Sequence, residues 1–241
     1  MKVAITRPKG KDNATAELAS SFGFDALIVN AIELVPRDEE EIRAEVGRLA
    51  DYDWVVITSA FGAEVMHRCF GDELKHAKVA AVGEKTRRAL EELGVPVELV
   101  PEEFRSEGLV RALRSASPGR ARILVARASS GREMLVRELK KFAEVVEVPL
   151  YDSVLPEDRS SILEMRRAIE RGELHAAVFT SAKTVENVFA VLGEDFAALL
   201  NRIRVVAIAP QTKKALEKRG VTGVAMPQRY TLEECLRLLE A

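Results

Sequence analysis

Six hydroxyl side chains stand where predicted strands give way to predicted helices. They are Thr58, Ser59, Thr86, Thr180, Ser181 and Thr212. Hydroxyls at such positions cap the following helix, and the exposed N–H groups of a helix N-terminus attract carboxylates and phosphates. Because open α/β sheets bind ligands at this edge, the hydroxyls predict a site for an anionic ligand. Capping alone is the alternative for each of them.

Basic residues gather at the same predicted edge. Arg7 and Arg127 follow two equivalent strands, and the other members of the group are Lys9, Lys11, Lys85, Arg105, Arg132, Lys183 and Lys213. Because a guanidinium pairs with a carboxylate through two parallel hydrogen bonds, the two arginines predict an anionic ligand. A solvated surface is the alternative, and it explains the lysines better than the two arginines.

Several other kinds of site are excluded or unsupported. No G-x-G-x-x-G opens the first βα unit and no G-x-x-x-x-G-K-[ST] occurs, which argues against nicotinamide and nucleoside-triphosphate sites. The three histidines and two cysteines are isolated, without metal-ligand spacing, so neither a disulfide framework nor a zinc site is supported. The formal charge of −2 argues against broad binding to nucleic acid or to acidic membranes.

Short β-branched runs alternate with amphipathic stretches that mostly end at glycine, which predicts βα units, a parallel sheet and the α/β class. The predicted strands are 3–6, 26–29, 54–58, 79–82, 97–100, 123–126, 145–148, 176–180, 205–208 and 224–226, and the predicted helices include 84–93, 132–142, 183–192 and 212–219. The first residues run directly into a strand, and no apolar run approaches the ~20 residues of a membrane span. We therefore expect a cytoplasmic protein.

Three segments recur in the same order about 120 residues later, as a tandem duplication would produce. Val-Ala-Ile-Thr-Arg at 3–7 recurs as Ile-Leu-Val-Ala-Arg at 123–127. Val-Ile-Thr-Ser-Ala at 56–60 recurs as Val-Phe-Thr-Ser-Ala at 178–182, and the segment 79–86 recurs at 205–212. The ten predicted strands then divide into two sheets of five.

Proline-bearing stretches at 33–38 and 151–158 fall at the same place in each copy and predict linkers. If both linkers cross between the copies, one domain is continuous over 37–150 and the other joins 1–34 to 156–241. Two sequential domains divided near residue 120 are the alternative. Periodicity does not choose between these arrangements.

Tyr151 breaks the repeat, because Ala31 occupies the aligned position in the first copy. A phenol at this place can donate a proton or orient a leaving group, although its ordinary pKa near ~10 makes it a weak acid. The alternative is a packed tyrosine whose hydroxyl bonds to the backbone.

Six short motifs, taken together and in order, resemble the uroporphyrinogen-III synthases of tetrapyrrole biosynthesis along essentially the whole chain. They are Ile-Thr-Arg-Pro at 5–8, Ile-Thr-Ser-Ala-Phe-Gly at 57–62, Ala-Val-Gly-Glu-Lys-Thr at 81–86, Val-Pro-Leu-Tyr at 148–151, Phe-Thr-Ser at 179–181 and Ala-Ile-Ala-Pro-Gln-Thr at 207–212. The chain departs from the common pattern at Phe61, where asparagine is frequent, and at Ala209, where glycine is frequent.

The resemblance implies two flavodoxin-like α/β domains with parallel five-stranded sheets, joined by a two-stranded linker at about 33–38 and 149–157, with the first domain discontinuous. It implies a monomer without metal or cofactor. It also implies that hydroxymethylbilane, a linear tetrapyrrole polycarboxylate passed on by the preceding bilane-forming enzyme, loses water and closes with inversion of ring D.

The same resemblance implies roles for particular residues. Tyr151 would assist departure of the hydroxyl. The implied substrate-binding residues are Arg7, Thr58, Ser59, Ala60, Thr86, Arg127, Thr180, Ser181 and Thr212. The alternative function is a non-catalytic, two-lobed module that binds an anionic metabolite.

Overall fold

The computed structural model describes residues 1–10, 12–101, 106–117, 119–131 and 133–240, with the side chain of Ser106 left out. Lys11, Arg105 and Arg132, three of the basic residues at the predicted edge, lie outside this description. The chain divides into two compact units. Unit 1 joins Met1–Leu34 to Val154–Ala241, and unit 2 is Val35–Ser153.

The helices and strands alternate through both units. In chain order they are β1 (Lys2–Pro8), α1 (Asp12–Ser21), β2 (Asp25–Pro36), α2 (Glu39–Val46), a 3₁₀ helix (Leu49–Asp51), β3 (Trp54–Ile57), α3 (Ala60–Phe70), α4 (Asp72–His76), β4 (Val79–Ala81), α5 (Glu84–Glu92), α6 (Ser106–Ala116), β5 (Arg122–Ala128), α7 (Glu133–Leu139), β6 (Glu144–Val154), α8 (Ser160–Glu170), β7 (Ala176–Phe179), α9 (Ala182–Leu192), α10 (Phe196–Leu200), β8 (Arg204–Ala207), α11 (Pro210–Lys218) and α12 (Leu232–Glu240). None of the helices in the described ranges is long and apolar enough to cross a membrane.

The strands of each unit pair in parallel. In unit 1 the order is β2-β1-β7-β8, and in unit 2 it is β4-β3-β5-β6. This order places the first strand of each copy, β1 or β5, inside its sheet. The chain therefore has the α/β fold that the alternating pattern predicts.

The prediction of five strands in each sheet is corrected at the fifth position. Segments 97–100 and 224–226 each make only one isolated bridge, Leu99 with Ala80 and Ala225 with Val206. Pro101 and Pro227 follow these bridges by two residues. Because proline has no backbone N–H to donate, neither segment continues as a ladder.

Helices cover both faces of the sheet in unit 1. On one face Val3 and Ile5 of β1 pack with Ala19 of α1 and Leu236 of α12. On the other face Ala4 packs in a cluster with α8 and α9. This alternation follows from the two-residue period of a strand, and it leaves the loops after the strands at the sheet edge as the place for polar side chains.

Both cysteines are buried, and we expect them to resist alkylation in the folded protein. Cys69 is 2% exposed and Cys235 is fully buried. Burial raises the pKa of the Cys69 thiol and raises that of Cys235 to about 12, so little reactive thiolate forms near neutral pH. Iodoacetamide at pH 8, followed by intact mass, should modify the native chain slowly and the urea-unfolded chain twice. Rapid modification of the native chain would contradict this burial.

Candidate functional site

Ser59 joins the start of α3 to the hydroxyl of Tyr151 in unit 2. The Ser59 Oγ accepts a hydrogen bond from the backbone N–H of Gly62 at 3.0 Å and lies 2.9 Å from the Tyr151 Oη. A Cβ at position 62 would lie 2.9 Å from that Oγ and 3.4 Å from a methyl of Leu150. Glycine at this position therefore leaves room for the serine hydroxyl.

Tyr151 is fixed at both ends. Its backbone carbonyl accepts hydrogen bonds from the Ser129 N–H at 3.0 Å and from the Ser129 Oγ at 3.2 Å. Phe61 packs edge-on against its ring at a centroid distance of 4.9 Å. The residue is only 7% exposed. The Tyr151 hydroxyl bonds to the side chain of Ser59. The alternative of a packed tyrosine whose hydroxyl bonds to the backbone is not what is observed.

The strand register corrects the residue that matches Tyr151 in the first copy. Tyr151 pairs with Ala128 after a shift in register that follows Arg127, and Ile32 pairs with Pro8 after the same shift. Ile32 is therefore the counterpart of Tyr151, and the alignment with Ala31 was one residue off. A buried aliphatic side chain thus occupies the place of the phenol in unit 1.

The other predicted residues of unit 2 are mostly engaged within the fold. The Thr58 Oγ1 donates to the Ala126 carbonyl at 3.2 Å, and Ala60 is the first residue of α3. Thr86 is 5% exposed and lies in the first turn of α5, which begins after Gly83 without a side-chain cap. Since the first N–H groups of a helix have no intrahelical partner, the open start of α5 suits an anion better than the buried hydroxyl does.

Arg127, one of the residues predicted to bind the substrate, forms an ion pair within unit 2. Its Nε and Nη2 both contact one carboxylate oxygen of Glu147 on the neighbouring strand, and its side chain is 11% exposed. A Cβ at Gly131 would lie 2.6 Å from the Arg127 Nη1, so this glycine keeps space for the guanidinium. A ligand carboxylate would have to compete with Glu147 for this arginine.

Arg7 has no such partner among the described residues of unit 1. In the register of β1 with β2, Ile28 stands where Glu147 stands in unit 2. The Arg7 Nε is buried and has no hydrogen-bond partner among the residues that the structure describes. Burial lowers the pKa of this guanidinium from its ordinary value, because the charged form is poorly solvated there. Within the described ranges, the Arg7 Nε is therefore uncommitted, and so is the Nη1 of Arg127.

Two residues beside Arg7, Asn30 and Asp12, also have buried polar atoms without a partner within the described ranges. Asn30 is the residue opposite Arg7 on β2, and its Nδ2 donates to the Asp12 Oδ2 at 3.2 Å. The Asn30 Oδ1 and the Asp12 Oδ1 are buried and make no hydrogen bond within the described ranges. Since buried polar atoms are normally paired, these atoms at the end of β1 are exceptional among the described residues.

The hydroxyls of unit 1 repeat the arrangement of unit 2. Ser181 caps α9, accepting from the Thr184 N–H at 3.1 Å, and the Thr184 Oγ1 accepts in return from the Ser181 N–H at 3.3 Å. The Thr180 Oγ1 donates to the Thr6 carbonyl at 2.6 Å. Thr212 is 1% exposed in α11, which begins after Ala209 without a side-chain cap. Ser59 and Ser181 therefore each cap a helix, and Thr58 and Thr180 each bond to the backbone of a neighbouring strand.

Sequence reasoning missed Glu147 and Ser129, which hold Arg127 and Tyr151. The signal for Glu147 was available, because a lone acid in a buried β-rich segment is usually paired. Among the described residues, no group of three or more His, Cys, Asp or Glu side chains is arranged to hold a metal ion.

Comparison with known proteins bears on the whole chain. The family model described as uroporphyrinogen-III synthase HemD matches residues 13–237. A protein of Methanothermobacter thermautotrophicus, named as a candidate uroporphyrinogen-III synthase, is 34% identical to this chain over 245 residues, covering 98% of this chain and 96% of its own. The uroporphyrinogen-III synthase of Synechococcus elongatus is 26% identical to this chain, and the match covers 99% of this chain and 94% of the relative.

The fold is also similar to a solved structure. The crystal structure of uroporphyrinogen-III synthetase from Helicobacter pylori matches with a TM-score of 0.66 at 15% identity, covering 99% of this chain and 98% of the other. At this identity the likeness concerns the fold alone, and the family model and the archaeal relative carry the assignment. The chain belongs to the uroporphyrinogen-III synthase family.

Proposed function

We propose that this chain closes hydroxymethylbilane to uroporphyrinogen III, and that Tyr151 supplies the proton with which the terminal hydroxyl leaves as water. Family membership makes the chain a uroporphyrinogen-III synthase, a hydro-lyase of tetrapyrrole biosynthesis. The match of the family model over residues 13–237 is the observation that carries the activity. The placement of Tyr151 beside Ser59 supports its role in the reaction.

We propose further that unit 1 and unit 2 are the two flavodoxin-like domains of the enzyme, with residues 33–38 and 149–157 as linkers. Within each unit the parallel strands end at an edge that carries a serine-capped helix and a helix without a side-chain cap. Uncommitted N–H groups at that edge attract carboxylates. In unit 1 the guanidinium of Arg7, whose Nε has no hydrogen-bond partner within the described ranges, adds a positive charge.

The reaction needs few catalytic groups. Loss of the hydroxyl from ring A gives an azafulvene cation, and the substituted carbon of ring D attacks it to form a spiro intermediate. Fragmentation and rejoining then invert ring D and close the macrocycle. Because the bilane also closes unaided to the non-inverted isomer, the main task of the protein is to hold a conformation in which the inverting attack is nearer.

The activity is tested by giving the purified protein freshly generated hydroxymethylbilane, oxidising the products and separating the porphyrin isomers by chromatography. We expect the type III isomer to predominate, and heat-denatured protein serves as the control. Type I isomer alone, formed at the spontaneous rate, would contradict the synthase activity. Saturable binding of the bilane under those conditions would favour the non-catalytic binding module.

We expect the Tyr151→Phe variant to turn over about 10- to 100-fold more slowly while still making the type III isomer. The phenol proton is lost, but water can still protonate the leaving hydroxyl and the fold still orients the bilane. The matched control is Tyr52→Phe, since the Tyr52 hydroxyl donates to the Val46 carbonyl at 2.8 Å elsewhere in unit 2. Turnover by Tyr151→Phe at the wild-type rate would remove Tyr151 from the reaction.

A further inference from the structure

The hydroxyl of Ser59 can donate one hydrogen bond, and its two contacts fix the direction of that bond. A serine hydroxyl carries one hydrogen and two lone pairs. The Ser59 Oγ uses one lone pair on the Gly62 N–H at 3.0 Å and lies 2.9 Å from the Tyr151 Oη. Either oxygen of the Ser59–Tyr151 contact could be the donor on geometry alone.

The helix start favours Ser59 as the donor. A hydroxyl that accepts a hydrogen bond becomes a stronger donor, because the bonds in a chain polarise one another. Here the accepted N–H belongs to the positive end of α3, a helix of 11 residues, which draws electron density from the serine oxygen. The hydrogen of Ser59 then points to the Tyr151 oxygen, and the phenol keeps its own hydrogen for another acceptor.

We propose that Ser59 is a positioning residue for Tyr151: it donates to the phenol oxygen, leaves the phenol proton free for the departing hydroxyl, and stabilises the phenolate that remains. This role rests on the proposed function. It differs from the direct contact with substrate that the sequence resemblance implies for Ser59. Phe61 and Ser129 complete the arrangement by fixing the ring and the backbone of Tyr151.

The proton balance closes over the reaction. The Tyr151 O–H proton passes to the hydroxymethyl oxygen, the C–O bond breaks with its electron pair on oxygen, and water leaves. The products of that step are a phenolate and an azafulvene cation. When ring closure later releases one proton from the pyrrole carbon framework, the phenolate takes it back, so the net change is the loss of one water molecule. Ser59 donates to the tyrosine oxygen in both states.

The decisive substitution is Ser59→Gly, because glycine caps a helix nearly as well as serine but has no hydroxyl. We expect kcat to fall about tenfold, the effect of one net hydrogen bond, with KM within about twofold of the wild-type value. Ser59→Thr keeps a hydroxyl and should restore kcat. In a Tyr151→Phe background, Ser59→Gly should cause no further loss, since the serine acts through the tyrosine.

A spectroscopic readout reports the hydrogen bond without turnover. The chain has three tyrosines, so 13C labelling at the tyrosine Cζ gives three resonances. Ser59→Gly should move the Tyr151 resonance and leave those of Tyr52 and Tyr230 in place, whereas Ser59→Thr should move none. The capping control is Asp38→Gly, which removes the cap of α2 in the same unit and should leave both kcat and the spectrum unchanged.

Two results would overturn the role of Ser59. One is an equal loss of kcat by Ser59→Gly in the wild-type and Tyr151→Phe backgrounds, which would show that the serine acts independently of the tyrosine. The other is a Tyr151 resonance that does not respond to Ser59→Gly. A wild-type protein that makes no type III isomer would instead overturn the proposed function and this role with it, while the resonance would still report the Ser59–Tyr151 bond.

Discussion

Replacing Glu147 by alanine should lower the free energy of unfolding by about 3 kcal/mol. The change leaves the Arg127 guanidinium, whose side chain is 11% exposed, without the carboxylate that neutralises it. A buried charge that loses its partner keeps the cost of its desolvation and gains nothing in return. Urea unfolding followed by circular dichroism, with the linear extrapolation applied to both proteins, measures the difference.

Two further variants separate a lost charge pair from lost packing. The double variant Arg127→Met, Glu147→Leu should recover most of the stability, because apolar side chains of similar volume replace a buried pair at little cost. Glu170→Ala removes an exposed partner of Arg166, which keeps a second partner in Asp195, and should change stability by less than about 0.5 kcal/mol. A Glu147→Ala protein as stable as wild type would show that Arg127 is solvated.

The Arg7→Leu variant should lose about 10- to 100-fold in kcat/KM for hydroxymethylbilane, mostly through a higher KM. The Arg7 Nε has no partner within the described part of the chain, so its hydrogen-bonding capacity is available to a ligand carboxylate. The same lack of internal partners means that the free energy of unfolding should stay within about 0.5 kcal/mol of wild type. Steady-state kinetics and urea unfolding on one preparation test both parts.

Arg7→Lys is the matched control for this prediction. Lysine keeps the positive charge but loses the planar pair of donors, so kcat/KM should lie between the values for leucine and arginine. A wild-type KM in Arg7→Leu would show that the unpaired guanidinium does not meet the substrate. A large loss of stability in the same variant would show that Arg7 has a structural partner.

The class of fold and the duplication could be predicted from the sequence because both depend on local periodicity. Strand 123–126 lies within the observed Arg122–Ala128, and helix 84–93 is observed at Glu84–Glu92. The lengths of β2 and β6 could not be predicted, because their ends at Pro36 and Val154 lie beyond the apolar run that marks a strand. The prediction of a fifth strand in each sheet was wrong, because the proline after segments 97–100 and 224–226 limits the pairing of each segment to one bridge.

The site was harder to predict than the fold because its geometry depends on contacts between distant segments. Sequence position alone made Arg7 and Arg127 equivalent. Only the neighbouring strand shows that Glu147 pairs with Arg127 and that Ile28 holds the position of Glu147 in unit 1. The pairing of Ser59 with Tyr151 joins residues 92 positions apart. Lys2 pairs with Asp25 but Arg122 pairs with Glu144, so the connection from β5 to β6 is one residue shorter than the connection from β1 to β2. This difference, which the repeat did not reveal, makes Ile32 rather than Ala31 the counterpart of Tyr151.

The exchange of Glu147 for Ile28 and of Tyr151 for Ile32 gives the two halves of a duplicated chain different chemical characters. Unit 2 pairs its Arg127 guanidinium with the carboxylate of Glu147 and contains the phenol of Tyr151. Unit 1 has Ile28 in place of the acid, and within the described ranges the Nε of its Arg7 has no partner. We expect this difference to matter for a bilane, which is itself a row of similar rings with unlike ends. Divergence at two strand positions thus makes two equivalent edges of a duplicated chain chemically distinct.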